Sequence, residues 1–170
     1  MKPNLMRPIL ALAAVALVAV AGASVAPEYP KMGADIYDAH ADASVQIAGA
    51  LAKASAQDKR VLLIFGANWC IWCHRLHATL ESDPAVARAL DQGFVLVMVD
   101  VNTRKGEKRN AAVNDRYGDP IKNGIPVLVV LGADGKQLTT KDSGELEEGE
   151  GHSPAKILAF LSAWAPAPHP

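Results

Sequence analysis

The chain is predicted to fold as an α/β domain, with a mixed central sheet flanked by helices and an extra helix ahead of the first strand. Three short apolar runs, 61–65 (VLLIF), 94–99 (FVLVMV) and 127–131 (VLVVL), have the length of buried strands. Segments with helical signals separate them, so the order reads helix, strand, helix, strand, helix, strand, strand, helix. An Asp134-Gly135 pair after the third run marks a tight hairpin. The two crossovers through helices imply parallel strands, and the hairpin adds an antiparallel one. At 170 residues, 50% apolar and 21% charged, the chain has the composition of one globular domain.

The N-terminus has the order of a secretory signal. Lys2 and Arg7 form a positive region, 9–20 is an unbroken apolar run, and Ala21-Gly22-Ala23 is a small-x-small cleavage site, with Ser24-Val25-Ala26 as a second candidate. An uncleaved anchor is the rival reading. The apolar part is short for a span of roughly 20 residues and rich in weakly hydrophobic Ala. We expect residues 1–23 to be a signal peptide, 24–41 an N-terminal lead, 42–164 the folded domain and 165–170 a Pro-rich tail. The expected address is periplasmic or otherwise exported, with no membrane contact beyond the signal or such an anchor.

Within the domain, Asp42 caps a helix through about Ala56 that presents Val45, Ala48, Leu51 and Ala52 on one face. The first strand ends at Gly66. A helix carrying His74, Leu76, His77 and Leu80 follows, and Asp83-Pro84 breaks and restarts it as far as about Leu90. After the second strand, 101–109 is a charged loop, read as solvated in preference to a basic docking patch. Residues 110–117 form a short helix stopped by Gly118, and Ile125-Pro126 leads into the third strand. The acidic, Gly-punctuated stretch 145–150 reads as a solvated loop before a cation site. Ser153-Pro154 caps a last helix with Ile157, Leu161 and Trp164 on its inner face.

The only two cysteines, Cys70 and Cys73, lie in ANWCIWCHRL, where three chemistries meet. Cys-x-x-Cys can open and close a disulfide. Cys-x-x-Cys-His is an attachment signal for haem, with His74 as axial ligand and Met98 the nearest second ligand by type. The two cysteines with His74 and His77 could be offered to a metal. One helix would then spread the outer ligands about 10 Å apart, too far for one ion with bonds of about 2 Å. A structural staple is disfavoured, since so small a loop constrains the unfolded chain little. With a formal net charge of −1, nothing points to nucleic acid.

The segments VLLIFGANWCIWCHRL and GIPVLVVLGADGK, in this order, resemble the thioredoxin superfamily, and more closely its exported members with a helix before the first core strand. The resemblance spans about 42–164. It implies a thioredoxin-like fold, a redox dithiol of Cys70 and Cys73, and a cis-proline at Pro126, preceded by Ile125, facing that dithiol. Cys70 would sit at a helix N-terminus, where the dipole favours a thiolate, and Cys73 one turn further in and less exposed. Trp69, Ile71 and Trp72 would form an apolar rim which, with Ile125 and Pro126, meets a polypeptide substrate. One departure stands out. Many thioredoxins carry a buried carboxylate six residues before the first cysteine, and here that residue is Ile64. His77 could act as a base in its stead, but a packing or surface role suits His77 and His74 better.

The expected function is thiol–disulfide exchange on exported proteins, with protein thiols or disulfides as substrates and a redox donor protein as partner. No cofactor, resident metal or nucleic acid is expected, and the protein is expected to be a monomer. The uncharged Ile71-Trp72 and Ile125 lean toward a reductase. The rival is a binding module whose dithiol is idle.

Overall fold

A computed structural model of the chain describes residues 33–167. The expected signal peptide and the last residues of the tail lie outside this range. Helix α1 (Ala43–Ala56) opens the fold, capped by Asp42, whose carboxylate accepts from Ser44 N at 2.8 Å and Val45 N at 3.4 Å. Strand β1 (Arg60–Gly66) leads through the cysteine motif into α2 (Ile71–Ser82). Asp83 then caps α3 (Pro84–Gly93) through Ala85 N at 2.9 Å and Val86 N at 3.0 Å, with Pro84 in the first turn. Strand β2 (Phe94–Asp100), the short α4 (Ala111–Arg116), β3 (Val127–Leu131) and β4 (Gln137–Asp142) follow. A two-residue ladder of β5 (Glu147–Glu148) and β6 (Gly151–His152) precedes α5 (Pro154–Trp164).

The main sheet has the order β2-β1-β3-β4. β1 pairs in parallel with β2, Arg60 opposite Phe94 through Gly66 opposite Asp100, and antiparallel with β3, Phe65 opposite Val127. Both expected crossovers were read as making parallel neighbours, and only the first does so. The second connection holds no helix as long as the sheet: α4 has six residues, about 9 Å, flanked by two short 3-10 turns, against about 23 Å for a seven-residue strand. It does not return the chain to the far end of the sheet, and β3 enters from the end where β2 stopped and runs opposite to it.

Strands that are apolar throughout feed two cores, one on each face. Val61, Leu63 and Phe65 pack with Val97, Val99, Val129 and α1 on one side. Leu62, Ile64, Leu128 and Val130 pack with Leu76, Leu80, Val86, Ile157 and Leu161 on the other. The buried stripe of α1 is Ala43, Ile47, Ala50 and Ala54, not the expected one, and Val45 is 69% exposed. On the last helix the inner face holds Ile157 and Leu161 as expected, together with Phe160, while Trp164 is half-buried. At the hairpin, Gly135 takes φ 79°, and Gly132 closes the turn by donating to Lys136 O at 2.9 Å. Pairing with β3 starts at Gln137, opposite Leu131. The acidic stretch is not simply a loop, since it holds the β5–β6 ladder and buries Leu146 and His152.

Candidate active site

The site grows from the junction of β1 and α2. Cys70 is the N-cap of α2, with extended backbone, and its Sγ accepts from Cys73 N at 3.1 Å. It thus takes the position where a helix offers unpaired N–H groups and positive potential. Cys70 and Cys73 are joined as a disulfide, with Cα atoms 5.2 Å apart. Both are buried, Cys70 at 6% and Cys73 at 1% exposure. The order of exposure agrees with the expectation, but the outer sulfur is more covered than a helix mouth suggests.

Its cover comes from the other elements. The Ile125-Pro126 peptide bond is cis and Pro126 is buried; Cys70 Sγ lies 3.6 Å from the carbonyl oxygen of Ile125. Trp69 and Trp72 pack, half-buried, against the dithiol beside Ile36, Met98 and Ile125. Trp69 Nε1 donates to Asn102 Oδ1 at 2.8 Å, and the Arg104 guanidinium stacks 3.9 Å above its ring. Trp72 meets the edge of His152 at 5.8 Å and carries Arg75 at 4.6 Å. Ile71 is half-buried in the first turn of α2. All seven expected site residues thus gather at one end of the sheet.

The histidines have other occupations. His74 is buried, with Nε2 2.8 Å from the carbonyl oxygen of Asn68, and His77 Nδ1 lies 3.4 Å from Glu81 Oε2. Among the described residues, no group of three or more His, Cys, Asp or Glu is arranged to hold a metal ion. Ile64 is 1% exposed within the core under α2, so no carboxylate reaches the dithiol from that strand.

Several residues escaped the sequence reading. Asn68, two before Cys70, grips the incoming chain. Its Oδ1 accepts from Ile36 N at 3.0 Å and Tyr37 N at 2.8 Å, and its Nδ2 donates to Tyr37 O at 2.9 Å. This clamp sets Tyr37, 2% exposed, against the disulfide. The 101–109 loop is not merely solvated. Arg109 pairs with buried Asp100 at 2.8 Å and Glu107 at 2.7 Å, and donates to Ala39 O at 2.8 Å. His152 is 2% exposed, and neither ring nitrogen has a partner among the described residues. Burial first, and then Arg75, pull its pKa down to about 4.

The sequence model of a family described as thioredoxin-like matches residues 42–133. This chain belongs to that family. It carries that family's Cys-x-x-Cys pair, here joined as a disulfide. A solved disulphide isomerase from Xylella fastidiosa Temecula1 is 38% identical, covers 75% of this chain and 95% of its own, and superposes with a TM-score of 0.66. The C-terminal domain of DsbD from Neisseria meningitidis, in its reduced form, is 27% identical over 73% of this chain and 97% of that domain, with a TM-score of 0.53. Among curated proteins, the thiol:disulfide interchange protein DsbD of Pseudomonas fluorescens is 30% identical over 120 residues, 70% of this chain. The chain spans less than a fifth of the length of the curated relatives it matches, 18% and 17%.

Proposed function

We propose that the protein is a thiol–disulfide reductase for exported proteins, with Cys70 as the attacking thiol and Cys73 as the resolving thiol. The observation that carries this reading is the placement of Cys70 Sγ, at the N-cap of α2 and against the Ile125 carbonyl. A helix N-terminus stabilises a thiolate. Lowering a thiol pKa from about 8.5 to about 7 raises its thiolate fraction at neutral pH from roughly 3% to 50%. Cys73, almost wholly buried, is suited to attack only the mixed disulfide. Trp69, Ile71, Trp72, Ile125 and Pro126 form the rim that meets the substrate chain. The substrates are protein disulfides in the periplasm or outside the cell, and a second redox protein resupplies electrons. The protein works as a monomer without cofactor.

The reductase direction is supported by the uncharged pair Ile71-Trp72, since a strong oxidant needs a more heavily stabilised thiolate. A second reading, a binding module with an idle dithiol, has one observation in its favour: Cys70 exposes only 6% of its surface. Reduction of insulin with a supply of reductant separates the two, because an idle dithiol gives no turnover. Cys73→Ser should trap substrates covalently on Cys70, and Cys70→Ser should abolish both trapping and turnover; the reverse pattern would exchange the roles. Equilibration with glutathione should place the pair nearer about −270 mV than about −120 mV. A value above roughly −150 mV would make the protein an oxidant.

A further inference from the structure

The resolving thiol sits in unusual company. The apolar side chains packed with Cys70 and Cys73 are Tyr37, Ile36, Trp69, Trp72, Met98 and Ile125. A thiolate on Cys73 would be desolvated there. The Cys73 backbone N–H is directed at Cys70 Sγ and Cys70 O. His74 spends Nε2 on Asn68 O. Asp100, opposite Gly66 on the neighbouring strand, is paired with Arg109 and would repel a thiolate rather than hold it.

One polar atom in the cluster is uncommitted. The hydroxyl of Tyr37 is buried and has no hydrogen-bond partner among the described residues. The hydroxyl and Cys73 Sγ both crowd Gly66: a methyl group there would overlap the hydroxyl and lie 2.7 Å from the sulfur. Hydroxyl and sulfur thus lie beside the same position of the backbone. A buried hydroxyl without a partner is destabilising, and a thiolate at Cys73 would supply the missing acceptor. Two hydrogen bonds between Asn68 and the Tyr37 backbone, and a third from Ile36 N, hold the residue in this place. The residue also lies outside the span 42–133 that the family model covers.

We infer that Tyr37 is the hydrogen-bond donor to the Cys73 thiolate once the disulfide opens, in a chain with isoleucine at position 64. The phenol acts as a donor and not as a base. Burial, and then the charge of Asp100, hold its pKa above the ordinary value, so it keeps its proton throughout. In the first step the Cys70 thiolate attacks one substrate sulfur, and the other leaves as a thiolate. Cys73 then gives its proton to that thiolate or to water, and its sulfur attacks Cys70 Sγ. The Cys70–Cys73 bond forms, the bond from Cys70 to substrate breaks, and the departing sulfur takes a proton from water. Two electrons pass to the substrate, and Tyr37 stabilises the charge on Cys73 between proton loss and attack.

This inference rests on the dithiol reading above, but its test does not depend on turnover or on the direction of electron flow. The thiol pKa of Cys73 is measured by thiolate absorbance in Cys70→Ser, with and without Tyr37→Phe. The dithiol–disulfide equilibrium with glutathione is measured for the otherwise native chain and its Tyr37→Phe variant. Loss of the donor should weaken Cys73 acidity about tenfold and, at a pH above the Cys73 pKa with and without Tyr37→Phe, where the reduced form carries the thiolate, shift the equilibrium about tenfold toward the disulfide, or about 30 mV. Tyr37→Met, which also lacks the hydroxyl, should shift both in the same direction. A purely packing role for the ring would move the melting temperature and neither of these quantities. A change under twofold in either the acidity or the equilibrium overturns the inference.

Discussion

Buried His152 makes a pH dependence that belongs to a single side chain. In the unfolded chain its ring takes a proton near 6.5, and in the folded protein only near about 4. Between these values the unfolded state holds more protons, so acid favours unfolding, and this contribution to stability rises with pH from about 4 to about 6.5 and is flat above. A difference of this size is worth about 3 kcal/mol. Urea midpoints between pH 4 and pH 8 should show this slope in the native chain, and His152→Phe, which keeps an aromatic ring beside Trp72, should flatten it. An unchanged slope in the variant would assign the effect to other groups. Nothing in the sequence pointed to this residue, for a lone histidine after Gly-punctuated acids has no period and no motif. The cysteines were legible because their spacing and the Trp directly before the first, Trp-Cys-x-x-Cys, are local features. Tyr37 was not, because its meaning depends on Asn68, thirty-one residues away.

At the scale of elements, the strands and most helix ends could be read from apolar runs, caps and Asp-Pro or Asp-Gly punctuation. The α1 stripe could not. Its alanines lie all around the helix, so periodicity has little contrast, and packing on the sheet decides which of them are covered. The direction of β3 was missed because a helical signal says nothing about whether the helix is long enough to return the chain. The segment ahead of α1 is joined to the β1–α2 junction through Asn68 and to the loop after β2 through Arg109. Asn68→Ala removes three hydrogen bonds to that segment, and we expect a loss of about 2–3 kcal/mol in stability. Amide exchange at Ile36 and Tyr37 should quicken well beyond that of the β1 amides. Equal protection in the variant would mean that Tyr37 is held by its ring alone.

For the whole molecule, the proposed export makes a prediction outside the described residues. The mature protein should begin after Ala23 or Ala26, and mass spectrometry of the secreted form reads this directly. A soluble cytoplasmic chain with Met1 intact would remove the proposed address. Among the described residues no helix is long and apolar enough to cross a membrane.

The double-sided burial of β1 has a consequence for how the molecule keeps its alignment. A strand with one wet face resists slippage, because a shift of one residue would turn its apolar side to water. β1 is apolar on both faces and has no such safeguard. Its alignment must be keyed at the ends. At one end Arg60 Nη1 donates to Trp164 O at 2.7 Å, across more than a hundred residues of chain. At the other, Gly66 admits Tyr37 and Cys73 where any side chain would jam. A growing chain therefore lacks one of its two keys until α5 has emerged, and during synthesis the cysteines are made long before the frame that aligns them is complete.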